Sequence, residues 1–303
     1  MFHYWSNKYV LPRLKEHGIQ VLEDFFLRYL QMTFAQTAAR PRRFISIGAG
    51  NCDFEILLCK RLVEQGHRNF VMECLDFNED ALRRGEQAAR GLGLGLTAMV
   101  VPVLADINSW LPDKHYDCVI ANQSLHHVAN LEGLFDAIAL SLGHNGWFVT
   151  SDMIGRNGHA RWPEAKEIID EYWSSLTKQQ RFNHISGRVE HQFLNPPPNP
   201  GNFEGIRAQD ILSLLVARFG FEFFYGFSNI IAPFVDRTFG PNFDPHNAHD
   251  RMLIDAIQAR DEREMIAGRI KPTQMLAAMT LSRNVTCKVV GGLAPRAAIR
   301  QPD

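Results

Sequence analysis

The sequence predicts an α/β fold, in which a parallel sheet carries helices on both faces and a helical segment precedes it. Short apolar runs alternate with amphipathic helical patterns between residues 44 and 152, which is the rhythm of βαβ units. The early runs are continuously apolar, as expected of strands that are buried on both faces. The 303 residues are 46% hydrophobic and 21% charged, which is typical of a globular protein.

The elements follow in order along the chain. Apolar residues at spacings of three and four predict helix through the first 43 residues, ended by Pro41. After an interruption beyond residue 152, a helix around residues 211–219 restores the alternation. Pro102 suggests an irregular or edge position for the third strand, because proline cannot donate to a central ladder. The seven expected strands cover residues 44–47, 70–76, 97–104, 116–121, 147–152, 221–227 and 275–281.

Composition argues against several classes of protein. The 32 basic and 33 acidic residues give a net charge of −1, unlike a general nucleic-acid binder. No apolar run approaches the roughly 20 residues that span a membrane, and no signal peptide is visible. The five cysteines form no C-x-x-C pair, so neither structural zinc nor a disulfide framework is expected. The simplest location is the cytoplasm.

A glycine turn follows the first strand. Gly48 and Gly50 lie where open α/β sheets bind ligands, and glycine lets the backbone approach a ligand closely. The dinucleotide fingerprint would need a third glycine at position 53, but Asp53 stands there, and its carboxylate would repel a pyrophosphate. The expected ligand therefore carries little negative charge.

Two acidic residues follow the next strands. Asp76 ends the second strand, where a carboxylate can accept hydrogen bonds from two ribose hydroxyls. Asn78 is better placed than Asp76 to cap the following helix. Asp106 follows the third strand, where an aspartate taken alone is an ordinary solvated loop residue.

Together these positions resemble the class I S-adenosylmethionine-dependent methyltransferases over residues 44–152 and again from about 205 to 282. Four motifs in the right order carry the resemblance. They are the glycine loop at 45–52, Asp76, Asp106-Ile107, and residues 116–128 after the fourth strand. Residues 140–149 resemble the family's entry to the fifth strand. The Leu-His-His-Val ending at 125–128 is similar to the ubiquinone/menaquinone-biosynthesis type of small-molecule methyltransferase.

The resemblance implies a Rossmann-like, seven-stranded methyltransferase sheet with a helical N-terminal cap and insertions. Residues 1–43 would form the cap and residues 44–152 the cofactor-binding half of the core. Residues 153–205 would form a lid, and 206–303 the second half of the core with an insertion at about 228–272. The only expected partner is a small-molecule acceptor, without nucleic acid or membrane span, and a homodimer stays open.

The resemblance also implies S-adenosyl-L-methionine as cofactor and S-adenosyl-L-homocysteine as product. Asp76 would hold the ribose, Asp106-Ile107 the adenine and Asn122 the methionine part. The family often has an acidic residue where Ser46 stands and a third glycine where Cys52 stands, so Ser46 would hold the methionine amino group more weakly. The full expected cofactor set is Ser46, Gly48, Gly50, Asn51, Asp76, Phe77, Asp106, Ile107 and Asn122.

The expected reaction is in-line methyl transfer to a hydroxyl oxygen. Such an acceptor needs a base, and neutral histidine suits that role near neutral pH. His191 in the predicted lid is the first candidate, with Glu190 to orient or replace it, and His127 is the rival. No metal is expected, since Asn122 stands where metal-dependent catechol-type enzymes have acidic ligands. A protein or RNA methyltransferase and a non-catalytic cofactor-binding module are the alternatives.

Overall fold

The computed structural model describes residues 1–35, 40–94, 98–195 and 203–301. In these ranges the main sheet has eight strands, and a two-stranded hairpin lies apart from it. The strands are β1 (Arg42–Ile47), β2 (Phe70–Asp76), β3 (Ala98–Leu104), β4 (Tyr116–Asn122), β5 (Leu142–Met153), β6 (Phe182–Asn183), β7 (Arg188–Val189), β8 (Gly220–Phe227), β9 (Gln274–Thr280) and β10 (Lys288–Val290). The hairpin is formed by β6 and β7.

The main sheet has the strand order β3-β2-β1-β4-β5-β9-β8-β10. Strands β1 to β5 are parallel, whereas β9 runs antiparallel to both of its neighbours, β5 and β8. The order reverses at β1, which pairs with β2 on one side and β4 on the other. The loops after these strands therefore border a crevice at the sheet's carboxyl edge, where such folds bind ligands.

The expected count of seven strands is corrected to eight by β10. This strand has three residues and pairs in parallel with Phe223, Phe224 and Tyr225 of β8. A run this short carries no readable periodicity, so its strand conformation depends on the neighbouring strand. The expected edge position of Pro102 is confirmed, since β3 is the outermost strand on its side.

Helices cover both faces of the sheet. One apolar cluster contains buried residues of α3, α4 and α5, and a second contains those of α6 and α8. The helices are α1 (Phe2–Trp5), α2 (Leu11–Lys15), α3 (Leu22–Phe34), α4 (Asp53–Glu64), α5 (Glu79–Gly91), α6 (Leu131–Ser141), α7 (Pro163–Ser175), α8 (Ala208–Arg218), α9 (Ala232–Val235) and α10 (Ala248–Ile266).

The N-terminal segment is helical but interrupted. A π-helical turn, Ser6–Val10, joins α1 to α2, and the chain leaves helical conformation between Lys15 and Leu22. Gly18 lies in this break at φ 73°, a left-handed conformation that glycine adopts without steric cost. The sheet begins at Arg42, before the expected end of the cap. Within the described ranges, no helix is long and apolar enough to span a membrane.

Candidate active site

The loop after β1 approaches the loop after β4 closely. Gly48 has φ 72°, and a Cβ atom there would lie 2.6 Å from the Ser124 Cβ. The Ser124 hydroxyl donates to the Ile47 carbonyl over 2.6 Å. The amides of Gly48 and Ala49 donate to the Leu75 carbonyl at the end of β2. Glycine is therefore needed at position 48 for both backbone conformation and close contact.

Asp76 at the end of β2 is buried and accepts backbone hydrogen bonds from the loops after β1 and β2. Its Oδ2 accepts the Gly50 amide over 2.8 Å, and its Oδ1 accepts the Asn78 amide over 2.8 Å. The expected cap is confirmed, because the Asn78 side chain accepts the Ala81 amide over 3.0 Å. These bonds fix the Asp76 carboxylate at the carboxyl edge of the sheet.

A cavity of about 700 Å³ opens at this edge. That volume suits a small organic ligand. The cavity walls include two large apolar side chains, Phe77 and Phe203, which are 75% and 57% exposed. The lining residues are Gly48, Asp76, Phe77, Asp106, Ile107, Asn108, Gln123, Ser124, His127, Val128 and Phe203. The structure thus brings five of the nine expected cofactor residues, and His127, to one cavity.

Asp106 connects the loops after β3 and β4 through Asn108. Its Oδ1 accepts the backbone amide of Asn108 over 2.9 Å and the side-chain amide over 3.0 Å. The Asn108 Oδ1 in turn accepts the amides of Ala129 and Asn130. The sequence patterns did not single out Asn108, although it lies two residues beyond Asp106.

The other four expected cofactor residues do not line the cavity. Ser46 is buried, and Gly50 contacts Asp76 through its amide. Asn51 is exposed, and its Oδ1 accepts from Arg84 of α5 over 2.9 Å. Asn122 at the end of β4 has a buried Oδ1 with no hydrogen-bond partner among the described residues. An unpartnered buried acceptor suits a ligand donor, such as the amino group of a bound methionine moiety.

Glu55 supplies a carboxyl group beside Ser46, where the resembling family often has an acidic residue. The Ser46 hydroxyl lies 2.6 Å from Glu55 Oε1. Burial raises the pKa of Glu55 to about 7, although the Ser46 hydrogen bond opposes that rise. Glu55 Oε2 is buried and has no partner among the described residues. The sequence patterns missed Glu55 because it lies nine positions away, on α4.

Cys52 is accommodated by a glycine on a neighbouring helix. Cys52 is the residue before α4 and has φ 59°, a conformation that favours glycine. Its buried side chain faces Gly85 of α5, where an added Cβ would lie 2.7 Å from the sulfur. The same Cβ would lie 2.7 Å from the Asn51 carbonyl oxygen. Gly85 thus provides the space that the cysteine requires.

A cluster of histidines and carboxylates lies behind the cavity wall. Asp152 at the end of β5 is fully buried, and its Oδ1 lies 2.7 Å from the His126 Nδ1. Its Oδ2 accepts the amides of Ser124 and Leu125. Burial lowers the pKa of His126, but the hydrogen bonds and negative charges of Asp152 and Glu204 together outweigh that effect and leave the pKa raised.

Glu204 contacts three imidazoles. Its Oε1 lies 2.7 Å from the His159 Nε2 and 3.5 Å from the His126 Nε2, and its Oε2 lies 3.6 Å from the His127 Nδ1. Burial lowers the pKa of His159, against the opposing effect of Glu204. Asp152 could have been anticipated because it ends a parallel strand, as Asp76 does. His159 and Glu204 lie outside the sheet strands and carry no spacing signal.

The structure does not bring His191 or Glu190 to the cavity. His191 is exposed, and its carbonyl accepts from Arg181 over 3.2 Å. Glu190 accepts from the Asn183 side chain within the β6–β7 hairpin. The His184 amide in this hairpin donates to the Thr238 carbonyl, so the hairpin packs on the segment after α9. Residues 196–202, at the end of the expected lid, lie outside the described residues.

Comparison with known proteins identifies the family. A family model described as a methyltransferase domain matches residues 14–195, which is more than half of the chain. No curated protein matches the chain.

Several solved structures are similar. One is the O-methyltransferase from a trans-AT PKS multienzyme of Brevibacillus brevis, in complex with S-adenosyl-L-homocysteine. It is 14% identical to this chain with a TM-score of 0.47, and the match covers 94% of this chain and 80% of that one. The plantazolicin methyltransferase with the same ligand is 13% identical with a TM-score of 0.43, covering 92% and 88%. Geranyl diphosphate C-methyltransferase from Streptomyces coelicolor A3(2) is 14% identical with a TM-score of 0.47, covering 86% and 80%.

At such identities, the acceptors of these proteins do not transfer to this chain. The family match covers β1 to β5 and therefore Asp76 and the cavity-lining residues named above, except Phe203. The finer resemblance to quinone-biosynthesis enzymes stays a prediction. The chain belongs to the methyltransferase domain family and is an S-adenosylmethionine-dependent methyltransferase.

Proposed function

We propose that this enzyme methylates a hydroxyl oxygen of a small-molecule acceptor bound beside His127. The observation that carries the proposal is the placement of His127, with Glu204 behind it, in the wall of the cavity that contains Asp76 and Asp106. A candidate base and five of the nine expected cofactor residues then border one cavity. S-adenosylmethionine, when bound, supplies an activated methyl group on a sulfonium.

The cofactor would be held by residues from four loops of the sheet edge. Asp76 would accept from the ribose hydroxyls, and Asp106 from the adenine amino group, with Ile107 against the ring. The buried, unpartnered Asn122 Oδ1 would accept from the methionine amino group. Gly48 would let the backbone approach the ligand. The buried Glu55 carboxyl beside Ser46 would add negative potential near that end.

His127 would remove the acceptor's proton. Its side chain is 45% exposed, so it can reach a ligand in the cavity, and Glu204 Oε2 at 3.6 Å would stabilise the imidazolium that forms. His191 and Glu190 lie outside the cavity wall, so His127 replaces them as the proposed base. Proton removal of this kind is needed only for an acceptor that is protonated at neutral pH, such as a phenol or alcohol.

The cavity lining supports a small acceptor over RNA. Among the described lining residues there is no lysine or arginine, whereas Phe77 and Phe203 present large apolar surfaces. Binding of a polyanion depends on basic side chains that neutralise phosphates. An uncharged, partly apolar acceptor fits these walls better.

The cofactor site is tested with Asp76→Ala. Loss of hydrogen bonds to a charged group should cost about 1.5–3 kcal/mol, so the dissociation constant of S-adenosylmethionine should rise roughly tenfold to hundredfold. Isothermal calorimetry measures this constant directly. Asp80→Ala, which removes an exposed carboxylate from the first turn of α5, is the matched control and should bind as the wild type does. An unchanged constant in Asp76→Ala would remove Asp76 from the site.

The base is tested by comparing His127→Gln with His191→Gln. Formation of S-adenosylhomocysteine is followed with a panel of phenols, alcohols, amines and carboxylic acids, and the variants are compared on the acceptor that the wild type uses. His127→Gln should lower turnover by roughly a hundredfold to ten-thousandfold, while His191→Gln should retain wild-type turnover. The reverse pattern would restore His191 as the base. An amine or acid as the preferred acceptor would contradict hydroxyl methylation.

A further inference from the structure

We propose that His126, His159 and Glu204 form a binding site for a divalent transition-metal cation such as Zn²⁺. The three residues offer two imidazole nitrogens and one carboxylate oxygen, and these three atoms all lie within 4.8 Å of one another. A set of two histidines and one carboxylate is a common protein environment of catalytic zinc, with remaining positions open to water or substrate. This proposal departs from the expectation that the chain binds no metal.

The distances between the ligand atoms are close to those that such a cation requires. Bonds of about 2.0–2.1 Å in a tetrahedral site place neighbouring ligand atoms about 3.3 Å apart. The His126 Nε2 lies 3.5 Å from Glu204 Oε1, and the His159 Nε2 lies 2.7 Å from the same oxygen. A cation therefore needs only a small opening of the His159–Glu204 pair, which a half-exposed glutamate side chain can provide.

Asp152 prepares His126 as a metal ligand. Asp152 accepts the backbone amides of Ser124, Leu125 and Met153, so it acts as a hydrogen-bond acceptor, and the His126 Nδ1 donates to its Oδ1 over 2.7 Å. The Nε2 atom, which faces Glu204, is then the one left to bind a cation. A carboxylate that holds the second nitrogen of a ligating histidine is the usual support of protein metal sites. Asp152 is itself fixed, since its Oδ2 accepts the amides of Ser124 and Leu125.

Backbone contacts hold the three ligand segments together. The Gly158 amide donates to the Gly205 carbonyl over 2.9 Å, and the Ile206 amide donates to the His126 carbonyl over 3.0 Å. Gly205 has φ 65°, and a Cβ there would lie 3.0 Å from the His159 Cε1. The two residues directly after Glu204 are thus hydrogen-bonded to both histidine segments, so backbone contacts of the fold bring the three ligands together.

The site borders the acceptor end of the cavity. His127 and Phe203, which line the cavity, are the chain neighbours of two of the ligands. A cation there can bind an acceptor oxygen and lower the pKa of its hydroxyl, which eases proton removal. This role rests on the proposed function, whereas metal binding itself does not. Imidazole donors favour zinc, cobalt or nickel over magnesium, which prefers oxygen ligands.

The test measures metal binding without cofactor or acceptor. The full chain is stripped of metal with a chelator, and binding is followed by calorimetry with ZnCl₂ and by the visible absorption of added Co²⁺. We expect one Zn²⁺ per chain, a Co²⁺ spectrum typical of nitrogen ligation, and no displacement by equimolar Mg²⁺. His159→Ala and Glu204→Gln should each abolish the Co²⁺ spectrum, and Asp152→Asn should weaken zinc binding roughly tenfold to hundredfold.

Two controls complete the experiment. His144→Ala removes an exposed histidine within β5 and should leave zinc affinity unchanged. Thermal melts establish whether each variant is folded, and His159→Ala changes a side chain that is only partly buried. Two results would overturn the site. One is wild-type zinc affinity in both His159→Ala and Glu204→Gln, and the other is a folded wild-type protein that binds no zinc. Failure of the hydroxyl-acceptor assay alone would remove only the role in the reaction.

Discussion

Ser46 and Glu55 form a buried polar pair at the end of β1. Ser46 stands where the family often has an acidic residue, and a carboxyl from α4 lies beside it, with Glu55 Oε1 2.6 Å from the Ser46 hydroxyl. The cost of this arrangement is burial of an ionisable group, which raises the pKa of Glu55 to about 7.

This raised pKa predicts a pH dependence of stability. Between pH 4.5 and about 7 the folded chain retains a proton on Glu55 that the unfolded chain releases, so the free energy of unfolding falls as pH rises through that window. Above this pH window the total decrease in the free energy of unfolding reaches about 3 kcal/mol. Glu55→Gln keeps an acceptor for Ser46 and cannot ionise. Urea unfolding should therefore show the variant gaining stability over the wild type from pH 4.5 to 7.

Two comparisons make this prediction specific. Glu64→Gln removes an exposed carboxylate from the same helix and should follow the wild-type profile. Asp261, whose pKa burial also raises to about 7, is present in all three proteins, so the difference between the profiles reports Glu55. Parallel profiles of wild type and Glu55→Gln would mean that Glu55 is ionised in the folded protein.

The contact between α5 and the loop before α4 depends on one glycine. Gly85 lies against Cys52 and the Asn51 carbonyl. A Cβ atom added at Gly85 would lie 2.7 Å from the Cys52 sulfur and 2.7 Å from the Asn51 carbonyl oxygen. A real side chain cannot occupy such a position without moving the helix or the loop. The same loop places the Gly50 amide against Asp76, so the packing of these two elements also affects the geometry of the proposed cofactor site.

Gly85→Ala should therefore destabilise the protein by about 1–3 kcal/mol in urea unfolding, because it overpacks this contact. It should also weaken S-adenosylmethionine binding in calorimetry. Gly91→Ala is the control, since Gly91 also lies in α5 and an added Cβ would meet nothing within 4 Å. Adding Cys52→Gly to Gly85→Ala should recover part of the lost stability, as the sulfur contact is removed while the Asn51 contact stays. Equal stability of Gly85→Ala and Gly91→Ala would contradict this account.

Across the whole molecule, the N-terminal helices are attached to α10, which lies far away in the sequence. Asp255 accepts hydrogen bonds from the hydroxyls of Tyr4 and Tyr9 at 2.8 and 2.6 Å, and Lys8 forms an ion pair with it at 2.8 Å. Further along the same helix, Gln258 accepts from the Trp5 indole, and Glu262 pairs with Arg13 at 2.7 Å. The N-terminal helices and α10 are thus joined by a cluster of hydrogen bonds and ion pairs.

Asp255→Ala should lower the free energy of unfolding by about 1.5–3 kcal/mol, the usual worth of hydrogen bonds to a charged group. The loss should appear as a lower urea midpoint. Met252→Ala, at a side chain that is 70% exposed on the same helix, should change the midpoint little. If Asp255→Ala unfolds at the wild-type midpoint, the N-terminal helices contribute no stability through this cluster.

The sequence by itself determined the βαβ rhythm and the edge of the sheet where the site lies. The second strand was predicted at 70–76, as the structure has it, because a buried parallel strand is a continuous apolar run with clear ends. Gly48, Asp76 and Asp106 could be found because each follows a strand, and the carboxyl ends of parallel strands meet at one edge. The strands and the residues at their ends can be read from local sequence patterns, because both depend on residues that are close together along the chain.

Only the tertiary structure decided which distant side chains meet. Strand β10 depends on pairing with β8, and Glu55 of α4 meets Ser46 of β1 across nine positions of sequence. His159 and Glu204 reach His126 from irregular segments 33 and 78 residues along the chain, where no periodicity constrains side-chain direction. His191 lay in the expected lid, but its hairpin packs away from the cavity wall. Local patterns encode strands, helices and turns, whereas the convergence of loops depends on the packing of all of them together.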